Sequence, residues 1–222
     1  MTRLLLVPSA LEVARLAPDE HALPRGIELL ACGVGLLRAG LAVQARLARG
    51  DVEDALLVGL AGTRDAAAAP LGALVVGTAA RNEAFGAGRG AAFLGLAEMG
   101  LRGETLDAEL LPMAVPGAAA PAMLRGVLGS VAAASGSPAE AAAWRGRHPD
   151  VLAEEMEAYA VALACARAGV PLACVRAICN VAGERDFAAW DLDAAFAALR
   201  AVLPALLGSP PLRPPLGAQV PR

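Results

Sequence analysis

Residues Val175 to Trp190, VRAICNVAGERDFAAW, form the most informative stretch of the chain. The apolar segment Ala173–Ile178 predicts a buried strand. Asn180 follows its end, before a glycine, an acid-base-acid triplet and a tryptophan. Ligands of open α/β sheets bind at the carboxyl ends of strands, so a polar strand end of this kind indicates a functional site. Asn180 could equally be a turn former, and Arg185 and Asp186 could form a solvated ion pair of small energy.

Outward from this segment, short apolar runs alternate with longer segments rich in Ala, Leu and Arg. This alternation predicts an α/β fold in which helices cover a largely parallel sheet. The predicted strands are Leu4–Val7, Ile27–Ala31, Ala55–Leu60, Leu74–Ala79, Gly126–Ala132 and Ala173–Ile178. The predicted helices are Leu36–Ala48, Ala139–Arg147, Glu157–Ala168 and Leu192–Leu207.

The length of 222 residues, 57% of them hydrophobic, is that of one domain with a single apolar core. We assign residues 1–207 to this domain. Residues 208–222 contain five prolines and no apolar period, which predicts an extended or disordered tail.

The charge and hydropathy patterns exclude several classes of partner. A formal net charge of -3 with scattered arginines argues against nucleic-acid binding. The longest uncharged stretches, Ala66–Ala80 and Leu110–Leu124, are shorter than the ~18 to 20 residues of a membrane span and contain Pro and Gly. Because Met1–Val7 also lacks a cleavage site, we expect a cytoplasmic protein.

The cysteines and histidines do not have the spacing of a metal site. The cysteines are Cys32, Cys165, Cys174 and Cys179, and the two histidines, His21 and His148, are far from them in sequence. We therefore expect free thiols in a reducing compartment and no metal.

Two segments carry candidate carboxylates. Glu12 lies three residues after Ser9 at the start of a helix, and this capping-box spacing favours a structural role. A carboxylate at the mouth of the first strand could also take a proton from water. The segment EEMEAY, Glu154–Tyr159, has three carboxylates at a strand-to-helix junction. Glu157 directly precedes an apolar helix, so we expect it to have less freedom than a surface acid.

Four segments, VPSALEV, VGLAGT, EEMEAYAVA and VRAICNVAGERDFAAW, resemble in order and spacing the superfamily of nucleoside phosphorylases and nucleosidases. Within it the chain looks most like the futalosine hydrolases, over roughly residues 3–206. The resemblance implies a three-layer αβα sandwich with a central mixed, largely parallel sheet. It also implies an N-glycosyl hydrolase without metal or organic cofactor, and a homodimer whose partner helps to close the site.

The resemblance implies catalytic roles that suit the chemistry. Breaking an N-glycosidic bond leaves positive charge on the ribose and negative charge on the base, so an anion near the sugar and a donor near the base favour the reaction. Glu12 matches the carboxylate that activates water. Glu157 matches the residue that grips the ribose hydroxyls, and Asn180 the one that faces N7 and the 6-substituent of the purine.

The remaining positions transferred by the resemblance surround the sugar. Met156 matches the residue packed under the ribose, Gly62 lies near the sugar and the nucleophile, and Trp190 matches an aromatic against the 5′ substituent. In futalosine this substituent is a carboxylated aryl ketone, which needs apolar surface and a cation. The other candidates for these contacts are Phe85, Phe93, Arg81, Arg89 and Arg185. Each of them could instead pack in the core or lie in a solvated loop.

The side chain at position 180 bears on the substrate. Adenine-specific relatives carry aspartate there, whereas an amide can donate to a 6-oxo group or to N7. The prediction is release of hypoxanthine from futalosine in menaquinone biosynthesis. The first loop has Glu12 but no arginine until Arg15, which favours water over phosphate. The alternatives are a nucleosidase of methylthioadenosine, adenosylhomocysteine or aminodeoxyfutalosine, a purine nucleoside phosphorylase, and a nucleoside-binding protein without turnover.

Overall fold

The computed structural model describes residues 1–16, 23–88, 90–101, 110–117 and 123–215. In chain order its strands and helices are β1 (Thr2–Val7), α1 (Ala10–Leu16), β2 (Ile27–Ala31), α2 (Leu36–Leu47), β3 (Val52–Thr63), β4 (Leu74–Asn82), β5 (Gly86–Ala87), β6 (Leu94–Gly95), β7 (Leu110–Pro112), β8 (Leu124–Ser130), α3 (Pro138–Arg147), β9 (Val151–Glu155), α4 (Ala158–Ala168), β10 (Leu172–Val181) and α5 (Leu192–Leu207). Short 3-10 turns occupy Gly90–Ala92 and Phe187–Ala189.

The main sheet is mixed, and its strands lie in the order β10-β4-β8-β9-β3-β1-β2, with β7 beside β4. Only the pairs β10–β4, β3–β9 and β4–β7 are antiparallel among the described strands of this sheet. The α/β class and the mixed sheet are therefore confirmed. β10 also pairs with β3, so the pairings of β10, β4, β8, β9 and β3 form a closed ring that the sequence pattern does not anticipate. The three-layer description stays a prediction.

Helices cover both sides of the sheet. Leu4 and Leu6 of β1 belong to a core shared with α2 and α4. Leu5 and Val7 belong to a second core shared with α1 and α5. Side chains alternate between faces along a strand, so a continuous apolar run such as β1 predicts burial on both faces. None of the helices in the described residues has the length and hydropathy of a membrane span.

The sequence predicts the longer elements well and one functional strand poorly. β2 and α5 match their predicted bounds, and α2, α3 and α4 differ by one residue at an end. The prediction omits β9, whose sequence VLAEE has too short an apolar run to be distinguished from a loop. Gly169, with φ of 68°, ends α4 in the left-handed conformation that glycine adopts without strain.

Arg3 ties the end of the last helix to the sheet. Its guanidinium pairs with Asp54 at 2.7 and 2.8 Å. It also donates hydrogen bonds of 3.0 Å to four carbonyl oxygens, those of Leu206, Leu207, Ser209 and Pro210. The first residues after α5 therefore lie against β1 and β3. The division into a domain of residues 1–207 and a tail stays a prediction.

Candidate active site

One cavity of about 300 Å³ lies at the carboxyl ends of β1, β3 and β10, beside the junction of β9 and α4. All six site residues expected above line it, namely Glu12, Gly62, Met156, Glu157, Asn180 and Trp190. Segments far apart in sequence thus meet where the strand ends predict a ligand site. The roles of the individual residues stay predictions.

Glu12 is both a helix-capping residue and a cavity residue. Ser9 Oγ accepts a hydrogen bond from Glu12 N at 3.2 Å and donates to Glu12 Oε2 at 2.6 Å. Leu60 N donates to the other oxygen, Oε1, at 3.0 Å. These bonds hold the carboxylate in one orientation at the mouth of β1. The structural and the functional interpretations of the Ser9–Glu12 spacing are therefore compatible.

A fully buried arginine, Arg176 of β10, lies beneath this carboxylate. Its Nη2 contacts Glu155 Oε2 at 2.5 Å and Glu157 Oε2 at 3.0 Å. Its Nη1 is buried and makes no hydrogen bond within the part of the chain that the structure describes. A Cβ atom at Gly59 would lie 2.5 Å from Arg176 Nη1 and 2.7 Å from Glu12 Oε1. Only glycine at position 59 therefore leaves room for both groups to approach.

The carboxylates of the EEMEAY segment have separate partners. Glu155 Oε2 accepts hydrogen bonds from Glu157 N at 2.9 Å and Ala158 N at 2.7 Å, which satisfies donors at the start of α4. Glu157 Oε1 accepts from Gly35 N at 2.8 Å, just before α2. Burial raises the pKa of Glu157, and the neighbouring Arg176 opposes this shift. Glu157 thus lines the cavity with its carboxylate fixed by Gly35 N and Arg176.

Asn180, Gly62 and Glu154 lie at one level across three adjacent strands. Asn180 of β10 is paired with Gly62 of β3, which is paired with Glu154 of β9. A Cβ atom at Gly62 would lie 3.1 Å from Asn180 Oδ1, so the missing side chain leaves space between the two flanking residues. Asn180 Nδ2 donates to Val181 O at 2.9 Å. The amide has two hydrogens, so one remains for a ligand.

The segment after β10 forms the outer part of the cavity. Trp190 is half-buried, and its Nε1 donates to Glu184 O at 3.2 Å. The guanidinium carbon of Arg185 lies 5.4 Å from the centroid of the Trp190 ring, and the Phe187 ring lies 4.8 Å from it. Arg185 lines the cavity and is exposed. An arginine and an aromatic ring therefore lie side by side at the opening.

Three of the remaining candidates for the 5′ side lie away from this opening. Arg81 pairs with Asp150 at 2.8 Å and does not line the cavity. Phe93 packs against α3, and Phe85 is exposed outside the cavity. Arg89 is outside the described residues. Of the candidate arginines that the structure describes, Arg185 is the one that lines the cavity.

Arg176 is a site residue that was not predicted, although the sequence contains a signal for it. An arginine inside the apolar run ACVRAICN must be buried when the strand is, and a buried arginine requires acidic partners. The carboxylates of the EEMEAY segment were the available partners. Their meeting depends on the pairing of β3 with both β9 and β10, which no local pattern specifies.

All four cysteines are buried and free, as expected. Cys179 lines the cavity, and burial raises the pKa of its thiol to about 12, so the thiol is neutral there. No group of three or more metal-binding side chains occurs within the described ranges, which do not include His21.

The chain is similar in sequence to a known family and to curated proteins. The family model of the phosphorylase superfamily matches residues 26–207. The chain belongs to the phosphorylase superfamily. Its curated relatives in this superfamily include a futalosine hydrolase from Streptomyces coelicolor, 36% identical over 85% of this chain and 81% of the relative. Another futalosine hydrolase, from Thermus thermophilus, is 34% identical over 92% and 94% of the two chains.

A solved structure in the superfamily has the same fold. It is a 5′-methylthioadenosine/S-adenosylhomocysteine nucleosidase from Colwellia psychrerythraea in complex with adenine. The TM-score is 0.75 with 22% identity, covering 94% of this chain and 95% of the other. The family model and the two futalosine hydrolase relatives confirm the resemblance inferred from the four motifs, and this member of the phosphorylase superfamily is an N-glycosyl hydrolase.

Proposed function

We propose that the chain hydrolyses the N-glycosidic bond of futalosine, releasing hypoxanthine and dehypoxanthine futalosine, as a cytoplasmic step of menaquinone biosynthesis. The observation that carries the proposal is the convergence of Glu12, Glu157 and Asn180 on one cavity. The two futalosine hydrolase relatives support the choice of substrate.

In the proposed reaction, water attacks C1′ of the ribose from the side of Glu12. Glu12 takes the water proton as the bond between oxygen and C1′ forms and the bond between C1′ and the purine nitrogen breaks. Such a general base contributes roughly 10²- to 10⁴-fold to the rate. Arg176, whose Nη1 lies with Glu12 Oε1 within 2.7 Å of a Cβ atom placed at Gly59, puts a positive charge behind this carboxylate.

Glu157 and Asn180 stabilise the two charges that develop. The Glu157 carboxylate grips the ribose hydroxyls beside the positive sugar, with Met156 packed under the ring. Asn180 donates to N7 or to the 6-oxo group of the departing purine anion. The anion takes up a proton from solvent, and Glu12 releases the water proton to solvent. Gly62 leaves the space that the base needs beside Asn180. An amide at position 180 suits a 6-oxopurine, whereas an ionised carboxylate would repel the oxygen.

The charges around the cavity favour water over phosphate. Glu12, Glu154, Glu155 and Glu157 line it, and Arg185 is the one lining cation among the described residues. The guanidinium of Arg176 lies behind the site and is paired with two of these carboxylates. A phosphate nucleophile needs cationic donors and would be repelled by this set.

The opening of the cavity suits the far end of futalosine. Trp190 offers an aromatic face to the aryl group, and Arg185 offers a cation to its carboxylate. No ion pair competes for Arg185 within the part of the chain that the structure describes, so its guanidinium can turn toward an anion at small cost.

We also propose a homodimer that closes this opening. Leu37 and Leu41 lie one turn apart on α2 and are 75% and 64% exposed. Val34 and Leu11 are exposed too, and both line the cavity. An apolar patch that continues into the mouth of a cavity favours a second copy as its cover.

The test is to offer futalosine, inosine and methylthioadenosine in phosphate-free buffer and to identify the free base by chromatography. We expect hypoxanthine from futalosine without phosphate. Adenine as the released base would identify an adenine nucleosidase, and turnover that requires phosphate would identify a phosphorylase. The variant Glu12→Gln should still bind futalosine but lose most activity. Ligand binding without turnover in the unmodified enzyme would indicate a binding protein.

A further inference from the structure

Glu154 is a cavity carboxylate that the mechanism above does not use. It is buried on β9 and faces the same cavity as Asn180. Its Oε2 accepts hydrogen bonds from Arg64 Nη2 at 3.0 Å and from Ser135 Oγ at 2.7 Å. Its Oε1 accepts from Ser135 N at 2.7 Å. Each carboxylate oxygen can accept about two hydrogen bonds, so Oε1 has one acceptor position left.

The partner of Glu154 is itself held rigidly. Arg64 forms a two-pronged pair with Glu83, at 2.9 Å and 2.5 Å, and the side chains of both residues are wholly buried. The Arg64 guanidinium also lies 5.4 Å from the centroid of the Trp144 ring. This network fixes the orientation of the Glu154 carboxylate. A rotation of the carboxylate would leave a buried guanidinium partly unpaired, which is costly.

Glu154 and Asn180 lie on either side of Gly62 in the sheet. The two residues flank Gly62 at one level of the sheet, two strand spacings apart, or about 9 to 10 Å between backbones. With no side chain at Gly62, a flat base can lie between them. Ser135 N occupies one acceptor position of Glu154 Oε1. The other position is available to a donor on the base.

We propose that Glu154 is a specificity-determining residue that accepts a hydrogen bond from N1–H of a 6-oxopurine. A 6-oxopurine carries a proton on N1, whereas N1 of a 6-aminopurine carries a lone pair that a carboxylate repels. Asn180 reads the O6 and N7 edge, and Glu154 reads N1. The inference rests on the proposed function, and it adds a second, independent contact that distinguishes hypoxanthine from adenine.

The test compares base binding by calorimetry in the unmodified enzyme and in Glu154→Gln, with hypoxanthine, 1-methylhypoxanthine and adenine as probes. A hydrogen bond to a charged group should make hypoxanthine bind roughly 10- to 100-fold more tightly than its N1-methyl derivative. In Glu154→Gln an amide nitrogen replaces one acceptor oxygen. We therefore expect the affinity ratio of hypoxanthine to 1-methylhypoxanthine to fall about tenfold, and the affinity for adenine to rise relative to that for hypoxanthine. Glu53→Gln, the same change at an exposed position of β3, should keep the ratio of the unmodified enzyme.

A purely structural role for Glu154 predicts a different result. All three bases would then weaken by the same factor, with the ratios unchanged, and this outcome would overturn the inference. A second measurement uses the unmodified enzyme and so does not depend on whether a variant folds. It records the nuclear magnetic resonance signal of the N1 proton of ¹⁵N-labelled hypoxanthine bound to the enzyme. We expect a downfield, slowly exchanging signal. A signal like that of free hypoxanthine contradicts the contact.

Failure of the proposed function gives a distinct pattern. In that case the unmodified enzyme neither releases hypoxanthine from futalosine nor binds hypoxanthine. If the enzyme does both and the Glu154→Gln ratio stays the same, only the inference about Glu154 fails.

Discussion

Among single residues, Arg176 has the largest expected effect on stability. Its charge is buried together with those of Glu155 and Glu157, and burial works against its charged form while Glu155 raises its pKa above the ordinary value. Ion pairs of this kind contribute little net stability relative to an apolar replacement of the whole set. Removing one partner alone, however, leaves uncompensated buried charge.

The first prediction follows from this asymmetry. Arg176→Met should lower the free energy of unfolding by about 3 to 5 kcal/mol, measured by urea denaturation. The control is Arg15→Met, which removes an exposed ion pair with Asp193 and should cost less than about 1 kcal/mol. Equal effects of the two substitutions would show that the buried arginine is not balancing the carboxylates.

The sequence predicted the cavity residues better than the network behind them. Glu12 and Asn180 follow strand ends, and Glu157 precedes an apolar helix, so local pattern and resemblance were enough to single them out. Arg64 and Glu154 are 90 residues apart, and their contact exists only because β3 pairs with β9. Pairing between distant strands leaves no local pattern in the sequence, which is why Glu154 could be assigned only to a junction.

At the scale of elements, the end of α3 contains a pH-sensitive side chain. His148 follows the helix, its ring stacks on Trp144 with centroids 6.1 Å apart, and its Nε2 lies 3.9 Å from Glu83 Oε1. Burial lowers the pKa of His148 to about 4, and nearby Arg81 and other arginines add to this effect.

The second prediction concerns acid stability. The unfolded chain binds a proton at His148 near its ordinary pKa of about 6.5, before the folded chain does. The contribution of neutral His148 to stability should therefore be present near pH 7 and decline as the pH falls from about 6.5 toward about 4. The melting temperatures of the unmodified protein and of His148→Gln should converge over this range. A constant difference would contradict the depressed pKa.

The elements themselves were predictable to the extent that each has its own pattern. α5 and β2 were located from apolar periodicity and flanking turn residues alone. β9 could not be located in this way, because two of its five residues are glutamates. They are buried because each pairs with an arginine from a distant part of the sequence, and no local sequence preference indicates this. The closed ring of pairings likewise depends on contacts between strands and not on any one strand.

For the whole molecule, the exposed apolar residues of α2 bear on assembly. The third prediction is that the protein sediments as a dimer and that Leu41→Asp shifts it toward monomer, because a charge placed in an apolar interface loses hydration without gaining a partner. Leu71→Asp, at an exposed site away from the cavity, should leave the mass unchanged. A monomeric unmodified protein would contradict the proposed assembly.

The central claim is that Glu12, Glu157 and Asn180 surround one glycosidic bond, and the most direct test is a crystal structure of Glu12→Gln with intact futalosine. We predict C1′ of the ribose within about 3.5 Å of a water held by the substituted side chain at position 12. The ribose hydroxyls should lie within hydrogen-bond distance of Glu157, and the purine N7 or O6 within that distance of Asn180. A complex in which futalosine binds with its glycosidic bond away from these three side chains would contradict the account.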